Sequence, residues 1–165
     1  MQLIETIEVG AGGAASIEFT SIPQDGVDLL LLLSMRGEGG AYPNLTINGT
    51  SANYSGKRLT GGGDYVSTGS NSVTTSFDGL FVPSTDTAST YGSNQWYFSN
   101  YAGSTAKSVS VEQVNENNGT SAVMVLRANL WNDTAAITSL EVNAANASNE
   151  IAQYSTASLY KITAD

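Results

Sequence analysis

The residues of this chain that could do chemistry are carboxylates and hydroxyls, because the sequence contains no His and no Cys. Without an imidazole or a thiol, the nucleophile–histidine pairs of many hydrolases and the usual zinc sites are excluded. A glycosidase needs only two carboxylates across a cleft. The 15 acidic residues are scattered along the 165 positions, so near pairs are expected by chance. We therefore predict a protein that is not an enzyme and needs no cofactor.

Three short motifs suggest ligand sites, and each has a simpler interpretation. Asp25-Gly26-Val27-Asp28 resembles part of a calcium loop, but a hard cation needs more oxygen ligands than two acids supply, so we predict solvated acids and no metal. Gly61-Gly62-Gly63-Asp64 lacks the Gly-Lys-Ser/Thr of a phosphate loop. The Asn-X-Ser/Thr pattern occurs at six positions, as expected by chance in such a composition, and predicts no glycan: Asn44, Asn48, Asn53, Asn118, Asn132 and Asn146.

Two groups of apolar and aromatic residues are candidates for partner contacts. Tyr91, Trp96 and Tyr101 belong to an aromatic segment that could stack on a sugar ring or anchor an interface. Strand alternation would place Trp96 and Phe98 on one face and Tyr97 on the other, which favours core packing for at least one face. The second group is Leu3, Ile4 and Ile7, on a terminal strand that could pair with the sheet edge of a neighbour.

Composition and charge exclude several classes of partner. Only 13% of the residues are charged, and the formal net charge is −9 with a sequence pI of about 4.2. A surface of this sign repels phosphate backbones, so direct nucleic-acid binding is not expected. No apolar run reaches the ~20 residues of a membrane span, and the stretch Met1 to Glu5 lacks the basic start of a signal peptide. We therefore expect neither a membrane nor a nucleic acid as a partner.

The element around which the chain is organised is the run of five leucines from Leu29 to Leu33, within the stretch Asp28 to Arg36. Pro23 and Gly26 precede the run and Gly37 follows it, which leaves about nine residues, short for a helix and typical of a strand. Because leucines would point to both faces, we predict a central strand that is covered on both sides.

The remaining segments predict further strands separated by turns. Asn48-Gly49 is a hairpin signal because both residues tolerate positive φ, with Tyr54 to Leu59 as a possible partner strand. Long loops are expected at 60–71 and 83–95, a turn at 115–119 and a polar loop at 143–150. The other strands are expected at 3–9, 16–19, 45–47, 72–82, 96–98, 107–114, 122–131, 137–142 and 155–162. Trp131, at the end of one of these strands, is expected in the core. About ten strands without a convincing helix predict an all-β fold, a single domain over 1–165 built as a two-sheet, jelly-roll-like β-sandwich.

Three stretches of the sequence resemble one family of proteins. They are Ser16 to Gln24 with the Asp-headed leucine strand, Asn100 to Ser108 with Glu116 to Asn118, and Trp131 to Ile137 with Tyr154 to Tyr160. Together they resemble small β-sandwich virion proteins of tailed bacteriophages, which serve as capsid decoration (cement) proteins or as parts of tail fibres. The chain departs from that pattern at Lys161, where a Gly is expected after Leu-Tyr.

The resemblance implies a structural role in the virion and leaves its place open. A decoration protein on the capsid exterior, a homotrimer with the major capsid protein as partner, is our first prediction, because the chain has no fibrous repeat or coiled-coil pattern. The alternative is a carbohydrate-binding or receptor-binding module of a tail fibre, which would hold a host surface glycan with loops 60–71 and 83–95 and the nearby aromatics.

Overall fold

The computed structural model describes residues 1–38, 43–71, 75–79, 82–83, 85–116, 122–144 and 150–164. These residues form thirteen strands and no helix. In chain order the strands are β1 (Gln2–Glu8), β2 (Ser16–Phe19), β3 (Asp28–Gly37), β4 (Pro43–Ile47), β5 (Tyr54–Gly62), β6 (Tyr65–Asn71), β7 (Phe77–Asp78), β8 (Val82–Pro83), β9 (Gly92–Phe98), β10 (Lys107–Asn115), β11 (Val123–Trp131), β12 (Leu140–Ala144) and β13 (Thr156–Ile162).

The strands form two sheets that pack face to face. The larger sheet has the order β1-β13-β3-β9-β10-β11-β5-β6, with every neighbouring pair antiparallel. The smaller sheet has the order β2-β12-β4-β7, and β8 pairs in parallel with β3. Side chains from both sheets meet in one hydrophobic core. The all-β, two-sheet sandwich predicted from the sequence is confirmed, with eight and four strands in the two main sheets.

The leucine run forms β3, an interior strand of the larger sheet, as predicted. Alternate residues of the strand, starting at Leu29, lie in the core, and Leu31 is 0% exposed. Leu30 and Leu32 point to the other face and are only half buried, so the expectation that both faces are covered is wrong. The reason is that the smaller sheet covers one face only. On the open face Leu30 is flanked in register by Tyr160 and Tyr97.

The predicted loop over 60–71 is instead a hairpin of β5 and β6. Gly62 pairs with Tyr65, which leaves Gly63 and Asp64 as a two-residue turn. Gly63 has φ of 51°, a conformation that suits a glycine at the first position of a hairpin turn. Apart from Gly63, the glycines and hydroxyl residues that suggested a loop are strand residues here.

The Asn48-Gly49 turn has the predicted backbone and a different role. Both residues have positive φ, 52° and 64°. The turn leads from the smaller sheet to the larger one, so β4 and β5 are not partners, and β5 pairs with β11 and β6. Tyr54 links the two sheets at this point, because its hydroxyl accepts a hydrogen bond of 2.7 Å from the N–H of Ile47.

Three other segments differ from the sequence expectation in extent. Within the described residues, the strand predicted over 72–82 is represented by the two short strands β7 and β8, and residues 72–74, 80 and 81 lie outside them. The loop predicted over 83–95 ends earlier, because β9 begins at Gly92. The strand predicted over 137–142 is β12, which begins at Leu140. Most of the predicted turn at 115–119 and of the polar loop at 143–150 lies outside the described residues, as do Asn118 and Asn146.

Candidate interaction surface

The larger sheet presents one of its faces to solvent, and the strand register places the residues on it. We call this face, which points away from the smaller sheet, the outer face. At one end Tyr160, Leu30 and Tyr97 are successive neighbours in one row. At the other end Leu126 lies opposite Leu59 in the next row. Because both rows continue in register across the eight strands, the outer face is continuous from β1 to β6.

Four large apolar side chains lie together on the outer face, and we call them the outer patch. Val66 is 76% exposed, Met124 50%, Leu126 45% and Leu59 44%. Met124 and Val66 both lie opposite Gly61, which has no side chain to separate them. Contiguous exposed apolar side chains of this kind mark interaction sites on soluble proteins. The sequence indicated the patch in part, because the segment that forms β11 has apolar residues on both faces. The sequence did not show that one of these faces stays open to solvent.

The predicted N-terminal contact residues lie on β1, which is an edge strand of the larger sheet. Leu3 is half exposed and points to the outer face opposite Tyr160. Ile4 and Ile7 are partly buried and pack against the core of their own chain. The register shifts between Leu3 and Glu5, which indicates a β-bulge at this point of the edge. Of the three residues, Leu3 is therefore the one whose side chain is available to a partner.

The aromatic candidates are divided between core and surface. Trp96 and Tyr101 are 1% and 0% exposed, which corrects the expectation that they contact a partner. The ring of Trp96 packs 6.3 Å from that of Phe77, across the two sheets. The hydroxyl of Tyr101 accepts a hydrogen bond from the N–H of Gly26 at 3.2 Å. Tyr91 is half buried, and its hydroxyl donates to the carbonyl of Gln153 at 2.8 Å.

Among the described tyrosines, the most exposed are ones that the sequence analysis did not select. Tyr65 and Tyr154 are each more than half exposed, the first at the turn of the β5–β6 hairpin and the second just before β13. Trp131, predicted as a core residue, is 0% exposed, which confirms that prediction. The sequence could not separate these cases because every one of the segments is rich in both aromatic and small polar residues.

The two acids of the calcium-like turn make contacts within the protein. The Nζ of Lys161 lies 2.6 Å from the carboxylate of Asp25, and this hydrogen bond lowers the pKa of Asp25 from its ordinary value. Asp28 accepts the N–H of Asn100 at 2.7 Å and the hydroxyl of Tyr97 at 2.5 Å. That second hydrogen bond, aided by burial, raises the pKa of Tyr97. The carboxylate of Asp25 is nonetheless exposed to solvent, as the sequence suggested, while Asp28 is half buried. Both acids also bind groups of the protein that lie beside the turn.

The described part of the chain contains no group of three or more His, Cys, Asp or Glu residues placed to hold a metal ion. No helix in those ranges is long and apolar enough to cross a membrane.

Comparisons with known proteins do not identify the chain. No protein-family model matches it, and no match was found among curated proteins or among solved structures. The resemblance to phage virion proteins therefore stays a prediction from the sequence.

Proposed function

We propose that this chain is a non-enzymatic structural protein of a bacteriophage virion, which decorates the outside of the capsid and binds the major capsid protein. The observation that carries the proposal is the outer patch on a broad, open sheet face. A specific protein interface needs above ~1,000 Å² in total, with apolar anchors near its centre. A continuous sheet face with clustered Leu59, Val66, Met124 and Leu126 is suited to that kind of extended contact.

The charge of the chain agrees with a place on the capsid exterior. A net charge of −9 opposes contact with packaged DNA, because both surfaces are negative. The same charge keeps an exterior protein soluble before it attaches. The homotrimer predicted from the family resemblance belongs to this proposal, since several copies that bind together gain avidity for a repeating shell.

The test is to add purified protein to particles that lack it and to measure attachment. Leu59→Gln with Leu126→Gln removes two central residues of the outer patch, and we expect attachment to weaken by at least about tenfold, with the melting temperature nearly unchanged because both side chains are exposed. The matched control is Ser51→Gln with Thr134→Gln, which are exposed positions in connections outside the outer face, and it should attach like the wild type. Wild-type attachment by the Leu59 and Leu126 variant would overturn the proposal.

A carbohydrate-binding module of a tail fibre is the second candidate, and the exposed tyrosines favour it. Tyr65 and Tyr154 each present a ring to solvent, as sugar stacking requires. If this candidate is correct, Tyr65→Ala or Tyr154→Ala should keep the fold and reduce adhesion of the protein to host cells. Under the decoration proposal the same variants should attach to particles like the wild type.

A further inference from the structure

The exposed Lys and Arg side chains of the protein lie in one place. Four of the six Lys and Arg side chains are buried. Each of the four binds a partner in its own chain. Arg36 donates to the carbonyls of Asp86, Thr87 and Thr90, and Lys107 donates to the carbonyls of Gly103 and Thr105. Arg127 binds the side chains of Gln113 and Asp78, and Lys161 binds the carboxylate of Asp25. The two exposed ones are neighbours on β5, Lys57 and Arg58.

Lys57 and Arg58 extend across the neighbouring strand β6, which is an edge of the larger sheet. The Nζ of Lys57 donates to the hydroxyl of Ser70 at 2.6 Å. A Cβ placed on Gly69 would lie 2.9 Å from Nε of Arg58, so the Arg58 side chain runs over that glycine. Since consecutive strand residues point to opposite faces, one cation flanks the β6 edge on each face. The strand itself, from Tyr65 to Asn71, carries no charged residue.

The opposite edge of the same sheet is acidic. Strand β1 contains Glu5 and Glu8, both exposed, and no Lys or Arg. Glu8 pairs in register with Thr156 and Glu5 with Leu159. Because Thr156 and Leu159 are three residues apart on β13, the two glutamates point to opposite faces of the sheet. The edge therefore has one anion on each face, as the β6 edge has one cation on each face.

The strand directions allow these two edges to pair between copies. The main path of the sheet has eight strands, each antiparallel to its neighbours, so β1 and β6 run in opposite directions. A second copy that continues the same sheet presents its β1 antiparallel to β6, with outer face next to outer face. Contacts of this head-to-tail type generate a closed ring when the rotation between copies closes.

We propose that the β6 edge binds the β1 edge of a second copy of this chain, with Lys57 and Arg58 facing Glu5 and Glu8, and that the contact repeats head to tail into a ring. Free edges of sheets pair readily unless charge or a bulge prevents it. The glutamates of β1 oppose pairing with another acidic edge, whereas the β6 edge offers the complementary charge. The register shift of β1 lies between Leu3 and Glu5, so the regular stretch from Glu5 to Glu8 is the part that would pair. This inference rests on the homo-oligomer of the proposed function and is independent of attachment to a capsid.

The experiment is sedimentation velocity on the purified full chain at low and high salt. We expect the wild type to sediment as an oligomer and the association to weaken at high salt. The reason is that dissolved ions screen the attraction between exposed charges, over a distance of about 10 Å at ~0.1 M salt. Lys57→Glu with Arg58→Glu, and separately Glu5→Lys with Glu8→Lys, should each raise the dissociation constant by at least about tenfold. Circular dichroism and a melting curve establish that each variant is folded.

Mixing the two charge-reversed chains gives a sharper test. In each variant both edges have the same sign, so neither associates alone, but the acidic β6 of one fits the basic β1 of the other. An equimolar mixture should therefore recover association in even-numbered assemblies of alternating chains. The matched control is Glu18→Lys with Glu112→Lys, which changes the net charge as Glu5→Lys with Glu8→Lys does, at exposed positions away from both edges, and it should stay oligomeric.

Three results would overturn the inference. The first is a wild type that is monomeric at both salt concentrations. The second is loss of association in the Lys57 and Arg58 variant but not in the Glu5 and Glu8 variant. The third is a loss of association in the Glu18 and Glu112 control that equals the loss in the Glu5 and Glu8 variant. A ring that forms and dissociates as expected but does not attach to particles would contradict the proposed function and leave this inference standing.

Discussion

At the scale of single residues, buried and half-buried polar side chains hold segments that have few strand contacts of their own. Arg36 donates to three carbonyls of residues 86–90 and so fixes the turn before β9. Asn48 donates to the carbonyl of Ala136, and its side-chain oxygen accepts the N–H groups of Thr138 and Ser139. Burying a donor or acceptor that is hydrogen-bonded in this way lowers the stability of the fold little, while burying an unpaired one lowers it by about 1–3 kcal/mol. These residues specify the paths of the connections between strands.

The ion pair of Asp25 and Lys161 predicts a pH dependence of stability. Because the pKa of Asp25 in the folded protein is lowered from 3.8, the carboxylate stabilises the fold above that pH, and this contribution is lost as the pH falls through the lowered pKa. Asp25→Asn should therefore lower the melting temperature near neutral pH. The difference from the wild type should shrink at pH values below 3.8.

The control for this prediction is the partner residue. Lys161 is buried, so Lys161→Met keeps an apolar stem in its place and removes the charge. In the Lys161→Met background, Asp25→Asn should have little effect on the melting temperature at either pH. An equal effect in both backgrounds would show that the pair is not the cause.

At the scale of elements, β3 predicts two different outcomes for neighbouring leucines. Leu31 is buried between the sheets, so Leu31→Asn removes core volume and buries an amide without partners. We expect it to lower the free energy of unfolding by about 3–5 kcal/mol, or to prevent folding. Leu32 is half buried on the outer face, so Leu32→Asn should cost less than about 1.5 kcal/mol.

Urea unfolding of the two variants and the wild type measures this difference, with the same substitution at adjacent positions as its own control. Equal losses at Leu31 and Leu32 would mean that a partner layer covers both faces of β3. That outcome would restore the sequence-based expectation of a strand buried on both sides.

The sequence predicted elements well where the signal is local. Alternation identified β2, with Ile17 and Phe19 in the core, and the positive φ of Asn48 and Gly49 follows from their residue types. It failed where pairing is set by distant partners. The Asn48-Gly49 turn does not form a hairpin, because β5 finds its neighbours in β11 and β6. The β5–β6 hairpin was interpreted as a loop, because Gly, Ser and Thr favour turns as well as weak strands.

The candidate surface was predictable only in part, for a related reason. That Leu126 and Met124 form a second apolar face of β11 is visible in the sequence. That this face is open depends on the smaller sheet, which has four strands and covers one side of a sheet of eight. Likewise, no sequence pattern distinguishes the buried Lys107 from the exposed Lys57, because burial depends on carbonyls brought close by the tertiary fold.

At the scale of the whole molecule, exposed apolar side chains and charged side chains are distributed unevenly. One sheet face is apolar in part and open, one edge is basic and the other edge is acidic. A protein that only needed to be soluble would gain nothing from this asymmetry, since scattered charges serve solubility as well. Edges that associate copies and a face that binds a repeating shell would use all three features at once.

The proposed decoration role predicts where the protein lies in an intact virion. Antibody labelling of particles, viewed by electron microscopy, should show many copies spread over the shell, because a decoration protein binds each repeat of the capsid lattice. Adding the purified protein to particles that lack it should raise the temperature at which they release DNA, since each bound copy stabilises the assembled shell by mass action. Particles treated with the Leu59→Gln, Leu126→Gln variant should release DNA at the temperature of untreated particles. Label confined to the tail tip, together with unchanged heat resistance and loss of host adhesion in Tyr65→Ala, would contradict decoration. The exposed tyrosines would then identify a tail-fibre module that binds glycans.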